Sequence, residues 1–218
     1  MIEHDDFAVE PVPGLPEDLP DGEVMLWQGA PDWKVMARRA FHLPLLGMYF
    51  LLMLAVKIGF DLLSGIGVAG ALLGAVGPAS LGLFAGGMFA LYAWLMARGT
   101  VYTITNKRLV MRFGVALPMT FNVPFAQVRS AAVKCFADGF GDIPVTLEDD
   151  NRISYIVMWP NVRPWRFKKP EPMLRSIPDA VQVAELLADA ASRVAPVTAT
   201  GQAMSEDDQD QLPVGDMA

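Results

Sequence analysis

The 218-residue chain is 53% hydrophobic with a mean hydropathy of +0.33, which is too apolar for an ordinary soluble domain of this size. Its single cysteine, Cys135, excludes an internal disulfide and a zinc site built from several cysteines, a usage typical of a reducing compartment. The formal net charge of −7 is unevenly distributed, because both ends of the chain are acidic and the segment after the longest apolar run is basic.

The first predicted segments precede that apolar run. Residues 1–21 combine carboxylates with several prolines and show little apolar periodicity, so we expect a disordered acidic lead. Residues 22–39 are predicted to be an ordered juxtamembrane segment that contains a short strand or loop. Within it, Trp27 and Trp33 have the amphipathic character of side chains at a membrane interface. Packing at that interface and contact with a partner are both open for these two tryptophans.

Residues 40–97 form the apolar run and carry only one lysine, one aspartate and one histidine. A helix crosses the roughly 30 Å hydrocarbon core with about 20 apolar residues, so the run is long enough for two passes. It predicts a transmembrane helical hairpin, with helices over about 40–60 and 78–97 and a Gly-rich turn over 64–77. The turn segment is too short for a pass by itself, which leaves two or three passes open. We expect no cleavable signal peptide, because the run is far longer than a signal sequence.

Three polar side chains and a glycine step mark the hairpin. His42 lies at its start, where an imidazole can be a headgroup-level residue, a proton switch or a ligand to a tetrapyrrole metal. Lys57 and Asp61 lie four residues apart on one helical face and are expected to pair. Gly82 and Gly86 form a small-xxx-small step that lets the first helix, a second copy or a foreign helix approach closely.

The distribution of cations predicts the orientation of the hairpin. Lys34, Arg38 and Arg39 precede it and Arg98 follows it, whereas the turn over 64–77 is uncharged. Both termini are therefore expected in the cytoplasm. The segment after the hairpin, residues 98–194, carries thirteen cations and nine carboxylates, and such a basic module is drawn to an anionic leaflet by roughly 1 kcal/mol per Lys or Arg near the surface.

From Thr100 the apolar periodicity changes to two. Six short strands are predicted, in "TVYTIT", "RLVMRF", "MTFNV", "RSAAVKCFAD", "IPVTLED" and "ISYIVMW", with a tight turn at Asn106 and Lys107 between the first two. An amphipathic helix follows, and its predicted inner face consists of Val181, Ala184, Leu187 and Ala188. The expected fold class is an α+β membrane protein, with an N-terminal transmembrane hairpin and an antiparallel β-sandwich or barrel capped by a C-terminal helix. The acidic tail 195–218 is expected to be disordered.

The sequence favours binding over catalysis. It contains no P-loop, G-x-S-x-G or H-E-x-x-H motif and only two histidines, so we expect neither an enzyme nor a metal site. The stretch "RPWRFKK" interleaves cations with aromatic rings and can meet a membrane boundary, dock a partner's acidic loops, or simply be a solvated loop. Its candidate binding residues are Arg163, Trp165, Arg166, Phe167, Lys168 and Lys169.

Two sets of motifs carry a family resemblance. "GEVMLWQGAPDW", "YTITNKRLVMRFG", "VPFAQVRSAAV" and "GFGDIPVTLEDDN" resemble the bacterial pleckstrin-homology-like (PH-like) domain of small membrane proteins, over about 22–193. "WQGAPDWKVMARRAFHLPLLGMYF" and "MWPNVRPWRFKKPEPMLRSIP" are similar to the PuhB-type photosynthetic complex assembly proteins of purple bacteria. This resemblance implies an assembly factor for the reaction centre and light-harvesting 1 complex in the intracytoplasmic photosynthetic membrane. It supplies no established set of functional side chains.

The resemblance also sets expectations for partners. We expect reaction-centre and light-harvesting 1 subunits and membrane lipid, no nucleic acid, and leave a homo-oligomer open. No resident cofactor is expected, and a transient bacteriochlorophyll contact at His42 is a hypothesis. The alternative function is a general membrane-surface PH-like module that binds anionic lipid or a signalling partner.

Overall fold

The structure is a computed structural model that describes residues 14–15, 18–115, 117–148 and 154–194. The predicted acidic tail and most of the predicted acidic lead lie outside these residues. The chain divides into two compact units. Unit 1 holds Gln28–Thr103 and Met111–Phe121, together with the described residues up to Asp18. Unit 2 holds Leu19–Trp27, Ile104–Val110 and the described residues from Asn122 onward.

Three helices form the bulk of unit 1: α1 (Trp33–Arg39), α2 (Leu43–Leu63) and α3 (Val68–Arg98). Asp32 caps α1, because its carboxylate accepts hydrogen bonds from the backbone N–H groups of Lys34 at 2.8 Å and Val35 at 2.9 Å. Helix α2 starts with a proline in its first turn, where the missing N–H costs no helical hydrogen bond. Helices α1 and α2 both pack against α3.

Helices α2 and α3 are each long and apolar enough to cross a membrane, judged by length and composition. Among the described residues these are the two helices of that kind. The predicted turn over 64–77 is wrong in extent, because α3 begins at Val68 and contains Pro78 in its interior. The stretch from Val68 to Gly77 is rich in alanine, leucine and valine, and its glycines are tolerated in an apolar helix that packs closely on α2.

The first sheet has four strands in the order β1 (Met25–Gly29), β2 (Val101–Thr105), β3 (Arg108–Phe113) and β4 (Met119–Pro124). The predicted turn between β2 and β3 is confirmed. Thr105 stabilises it, since its hydroxyl oxygen accepts hydrogen bonds from the N–H groups of Lys107 and Arg108 at 3.1 and 3.0 Å. Asn106 Oδ1 accepts from the Val24 N–H at 3.0 Å and so ties the turn to the residue before β1.

The second sheet is built around the longest strand, β7 (Phe140–Leu147). This strand pairs antiparallel with β5 (Val128–Ala131), β6 (Lys134–Cys135) and β8 (Met173–Pro178). A 3-10 turn over Phe125–Gln127 leads from the first sheet into β5. Helix α5 (Ala180–Val194) packs on β7, and Gly141 permits this approach, because a Cβ there would lie 2.5 Å from that of Ala180.

Two details of the predicted module are wrong. The expected strand "ISYIVMW" contains a short helix, α4 (Tyr155–Met158), and the strand beside β7 is β8. β8 escaped prediction because Met173 to Ile177 are all buried, so the run shows no alternation of polar and apolar residues. The inner face of α5 is predicted correctly only in part: Leu187 is buried and Ala184 and Ala188 are half-buried, but Val181 is exposed. The other buried residues of the helix are Ala180, Val183, Ala190 and Ala191.

Candidate interaction surfaces

A charged pair lies between the two long helices of unit 1. Lys57 Nζ donates to Asp61 Oδ2 at 2.6 Å, which confirms the predicted pairing. The pair sits against Gly74 of α3, where a Cβ would lie 2.9 Å from Lys57 Nζ and 3.3 Å from Asp61 Oδ2. Asp61 is the only buried residue of α2, and many of the apolar side chains of this helix, such as Leu51 and Leu63, are exposed. The missing side chain of Gly74 therefore makes room for the ion pair.

The two glycines of the predicted small-xxx-small step, Gly82 and Gly86, lie in different environments. A Cβ on Gly82 would lie 2.8 Å from the ring of Phe50, so this glycine lets α2 and α3 approach closely. A Cβ on Gly86 would meet nothing within 4 Å. Beside these glycines, α2 and α3 line an apolar groove of about 450 Å³ that includes Leu43, Gly47 and Leu83.

The candidate pigment ligand, His42, is exposed immediately before α2 and adopts a left-handed backbone with φ of 50°. Its neighbour Phe41 packs edge to face on Tyr92 of α3, with ring centroids 5.4 Å apart. In the described part of the chain, no group of three or more His, Cys, Asp or Glu side chains could hold a metal ion. The candidate Trp33 opens α1 at 38% exposure, and the candidate Trp27 is half-buried in β1.

The remaining candidates lie together in a loop of unit 2 between α4 and β8, over residues 159–171, which we call the aromatic–basic loop. Backbone hydrogen bonds close its base: the N–H of Arg163 donates to the carbonyl of Glu171 at 2.9 Å, and that of Met173 to the carbonyl of Asn161 at 3.0 Å. A bridge between Val162 and Pro172 lies between these two bonds. The loop is thus tied to β8 and projects residues 164–170.

One buried carboxylate organises the cations of this loop. Glu171, whose side chain is 6% exposed, accepts from Arg163 Nη1 at 3.0 Å and pairs with Arg166 Nη1 at 3.2 Å. The charge-assisted hydrogen bond from Arg163 and the ion pair with Arg166 use one oxygen each of the same carboxylate, so both arginines are held near the base of the loop. Lys168 and Lys169 continue the basic sequence and are exposed.

The aromatic rings of the loop are exposed and touch one another. Trp165 is 85% exposed and Phe167 is 61% exposed, with their ring centroids 6.3 Å apart. Tyr155 of α4 also contacts Phe167, with 4.6 Å between the ring centroids. Trp165 also has a positive φ of 64°, a backbone conformation that is uncommon for a bulky residue.

Sequence reasoning missed the contribution of α4 to this surface. In this helix Ile156 is 85% exposed and Val157 is 51% exposed, and both directly follow Tyr155, whose ring contacts Phe167 of the loop. The apolar run was interpreted as a strand, which would have buried alternate side chains. Pro160, directly after this run, is compatible with the end of a strand as well as of a helix, so the local sequence holds no signal that would have located them.

Comparison with known proteins agrees with this architecture. Residues 49–191 match the bacterial PH domain family, a range that begins in α2 and ends in α5. A protein of Rhodobacter capsulatus, named as an uncharacterized 23.7 kDa protein in the puhA 5′ region, is 38% identical over 192 residues, covering 88% of this chain and 89% of its own length. No solved structure gave a significant match. A match over more than half of the sequence, with paired apolar helices ahead of antiparallel sheets, places the chain in the bacterial PH domain family.

Proposed function

We propose that this protein is a non-catalytic, membrane-anchored assembly factor for the photosynthetic reaction centre and light-harvesting 1 complex of purple bacteria. The observation that carries the proposal is the relative from the puhA region of a photosynthetic bacterium, which is similar over nearly its whole length. The similarity of the first helix region and the aromatic–basic loop to PuhB-type assembly proteins supports the same role.

In this proposal α2 and α3 cross the inner, intracytoplasmic membrane, with both termini in the cytoplasm. The burial pattern of α2 supports insertion, because its only buried residue is Asp61 while Leu51 and Leu63 are 69% and 91% exposed. Apolar side chains facing outward are stable when lipid surrounds them and costly in water. Cations at both ends of the hairpin and none in its turn support the orientation.

We assign a separate binding role to each of two surfaces, the groove between α2 and α3 and the basic sheet module. The groove between α2 and α3 is lined by glycines and apolar side chains and can admit apolar side chains from a helix of a pigment-binding subunit. The sheet module carries the basic residues and holds a subunit surface close to the membrane. Neither role requires a reacting group, which is why we propose binding without catalysis.

Deletion of the gene in a phototrophic host tests this function. We expect a lower level of assembled reaction centre and light-harvesting 1 complex, measured by the absorbance spectrum of isolated membranes, and normal growth without light. Complementation with the wild-type gene is the control. Affinity purification of the full chain from phototrophic membranes should recover subunits of the complex. Normal complex levels in the deletion strain would refute the proposal.

A second candidate is a general membrane-surface module that binds anionic lipid or a signalling partner. The exposed rings and lysines of the aromatic–basic loop favour it. The two functions differ in what the purified full chain retains: selective enrichment of anionic lipid without any photosynthetic subunit would favour the second candidate.

A further inference from the structure

The apolar groove of unit 1 and the ion pair of Lys57 and Asp61 lie along one face of α2. Phe50 and Leu54 line the groove, and Lys57 and Asp61 follow them at steps of three and four residues. Residues at such steps share one side of a helix, and the rise from Leu54 to Lys57 is about 4.5 Å. On α2 the groove therefore ends about one helical turn before a charged residue.

The size and lining of the groove fit one long apolar chain. Its volume is about 450 Å³, and every lining residue is apolar or glycine, from Leu43 to Leu54 on α2 and from Ala79 to Gly87 on α3. This volume lies within the range of about 300–1,000 Å³ that is common for small-molecule sites. A methylene group takes up about as much space as a water molecule in the liquid, roughly 30 Å³, so the groove holds about 15 carbons of a single chain.

The two glycines of α3 in this groove differ in what a side chain would meet. A Cβ on Gly82 would collide with the ring of Phe50, so the helices touch there, whereas a Cβ on Gly86 would meet nothing within 4 Å. Gly86 therefore borders open space in the groove. A larger side chain at this position would fill the groove without pushing the helices apart.

The ion pair supplies hydrogen-bond donors without a net charge. Lys57 Nζ donates to Asp61 Oδ2 at 2.6 Å. An ammonium group has three N–H donors, and the other two of Lys57 have no acceptor among the residues that the structure describes. The side chain of Lys57 is 36% exposed, so these donors are within reach of a ligand. In apolar surroundings a further acceptor stabilises them.

The charges of the pair select a neutral acceptor. An anionic end group would face the carboxylate of Asp61, and a cationic one would face the ammonium group of Lys57. A ketone or ester carbonyl accepts a charge-assisted hydrogen bond and adds no charge. A phospholipid would bring two chains and a phosphate, which match neither the volume of the groove nor the neutral pair. An apolar side chain of a partner helix would fill the groove and leave the donors of Lys57 unpaired.

We propose that the groove and the ion pair form one binding site for a neutral, single-chain lipophile, whose chain lies between α2 and α3 and whose carbonyl oxygen accepts a hydrogen bond from Lys57 Nζ. The polar end of the ligand lies toward the end of α2, and its chain runs toward Leu43. The inference rests on the membrane insertion proposed above, since such a ligand reaches the groove from the bilayer. It goes beyond the assembly role and does not depend on the identity of the client.

The test measures binding to the purified full chain in dodecyl maltoside micelles, with hexadecan-2-one, hexadecane and palmitate as probes of equal chain length. Native mass spectrometry gives the stoichiometry and the dissociation constant for each probe. We expect one ketone per chain, bound about ten-fold more tightly than the alkane because of the charge-assisted hydrogen bond, and more tightly than palmitate because Asp61 repels a carboxylate. The infrared carbonyl band of the carbon-13-labelled ketone should shift to lower frequency on binding.

Three variants locate the ligand. Gly86→Leu fills the groove and should weaken ketone binding by about ten-fold or more. Gly59→Leu makes the same change at a position of α2 that also borders open space but does not line the groove, and should leave binding unchanged. Lys57→Met combined with Asp61→Leu removes the pair and leaves no unpaired charge. This double variant should bind the ketone no better than the alkane and should lose the infrared shift.

Four outcomes would overturn the site. Equal affinities for ketone and alkane would exclude the polar contact, and palmitate bound as tightly as the ketone would exclude selection of a neutral group. Unchanged binding in Gly86→Leu would place the ligand outside the groove, and an equal loss in Gly59→Leu would show that the groove does not control binding. The deletion strain tests the assembly role separately: normal complex levels together with ketone binding would refute that role and leave this site in place.

Discussion

Helix α2 and strand β8 bury their residues in opposite ways. In α2 the buried residue is a charged one, Asp61, whereas leucines such as Leu51 and Leu63 are exposed. In β8 the five residues from Met173 to Ile177 are all buried, and they include Leu174 and Ile177 at 0% exposure. Burial of apolar surface is favourable in water, whereas a helix surrounded by lipid gains nothing by hiding it. The contrast is therefore what the proposed membrane insertion of α2 predicts.

The largest expected effect comes from the core of the second sheet. Leu174→Ala removes a fully buried side chain beside Ile143 of β7, and should lower the free energy of unfolding of the module by about 3 kcal/mol. Leu52→Ala in α2, where the side chain is 64% exposed, is the matched control and should cost much less. Thermal unfolding of the purified chain in detergent micelles measures both. Equal losses would contradict the contrast between the two parts.

The next effect concerns the close approach of α2 and α3. Gly74→Leu places a side chain where the Lys57–Asp61 pair now lies, and should destabilise the hairpin by about 2 kcal/mol through overpacking and disruption of the pair. Gly86→Leu adds the same side chain in open space and should be neutral or slightly stabilising, because leucine favours a helix more than glycine does. The midpoint of denaturation in detergent distinguishes the two. An equal loss for both variants would show that Gly74 has no special role.

A smaller effect is expected in the aromatic–basic loop. Glu171→Gln keeps the shape of the side chain but removes the charge shared by Arg163 and Arg166, at a cost of about 1 kcal/mol because both arginines are partly exposed. Hydrogen exchange at the amide of Arg163, which donates to the carbonyl of Glu171, should become faster. Exchange at the amide of Val145, which donates to Pro172, is the internal control. Unchanged exchange at Arg163 would mean that the backbone ladder alone holds the loop.

The smallest structural effect is expected at His42. Because the side chain is exposed, His42→Leu should change the unfolding midpoint little. If the imidazole ligates bacteriochlorophyll during delivery, the variant should lose pigment that co-purifies with the wild-type chain, as measured by absorbance of the eluate. His42→Gln keeps a polar side chain without the imidazole and is the matched control. Unchanged pigment in both variants would remove the ligand hypothesis.

Much of the fold could be predicted from sequence, because its signals are local. The apolar run predicts the hairpin, and the alternation in β2 and β3 with Asn106 between them predicts the first turn. The ion pair of Lys57 and Asp61 follows from a spacing of four residues on one helix. The contact between this ion pair and Gly74 could not be predicted, because it depends on the register between α2 and α3.

The candidate surface was predictable only in part for the same reason. The cations and rings of 163–169 stand next to one another in sequence, so their clustering needs no tertiary information. The involvement of α4 and the buried position of Glu171 depend on the pairing of β7 with β8. β8 is buried throughout, and a fully buried strand has no period that sequence can reveal.

The proline inside α3 has a consequence for the charged pair. Pro78 has no amide hydrogen, so it cannot donate to the carbonyl of Gly74 one turn earlier. The residue that loses its main-chain donor is thus the one whose absent side chain admits the ammonium group of Lys57. Helix α3 therefore has, at the glycine that accommodates the ion pair, a carbonyl without its usual intrahelical donor, which is costly in apolar surroundings unless another group satisfies it.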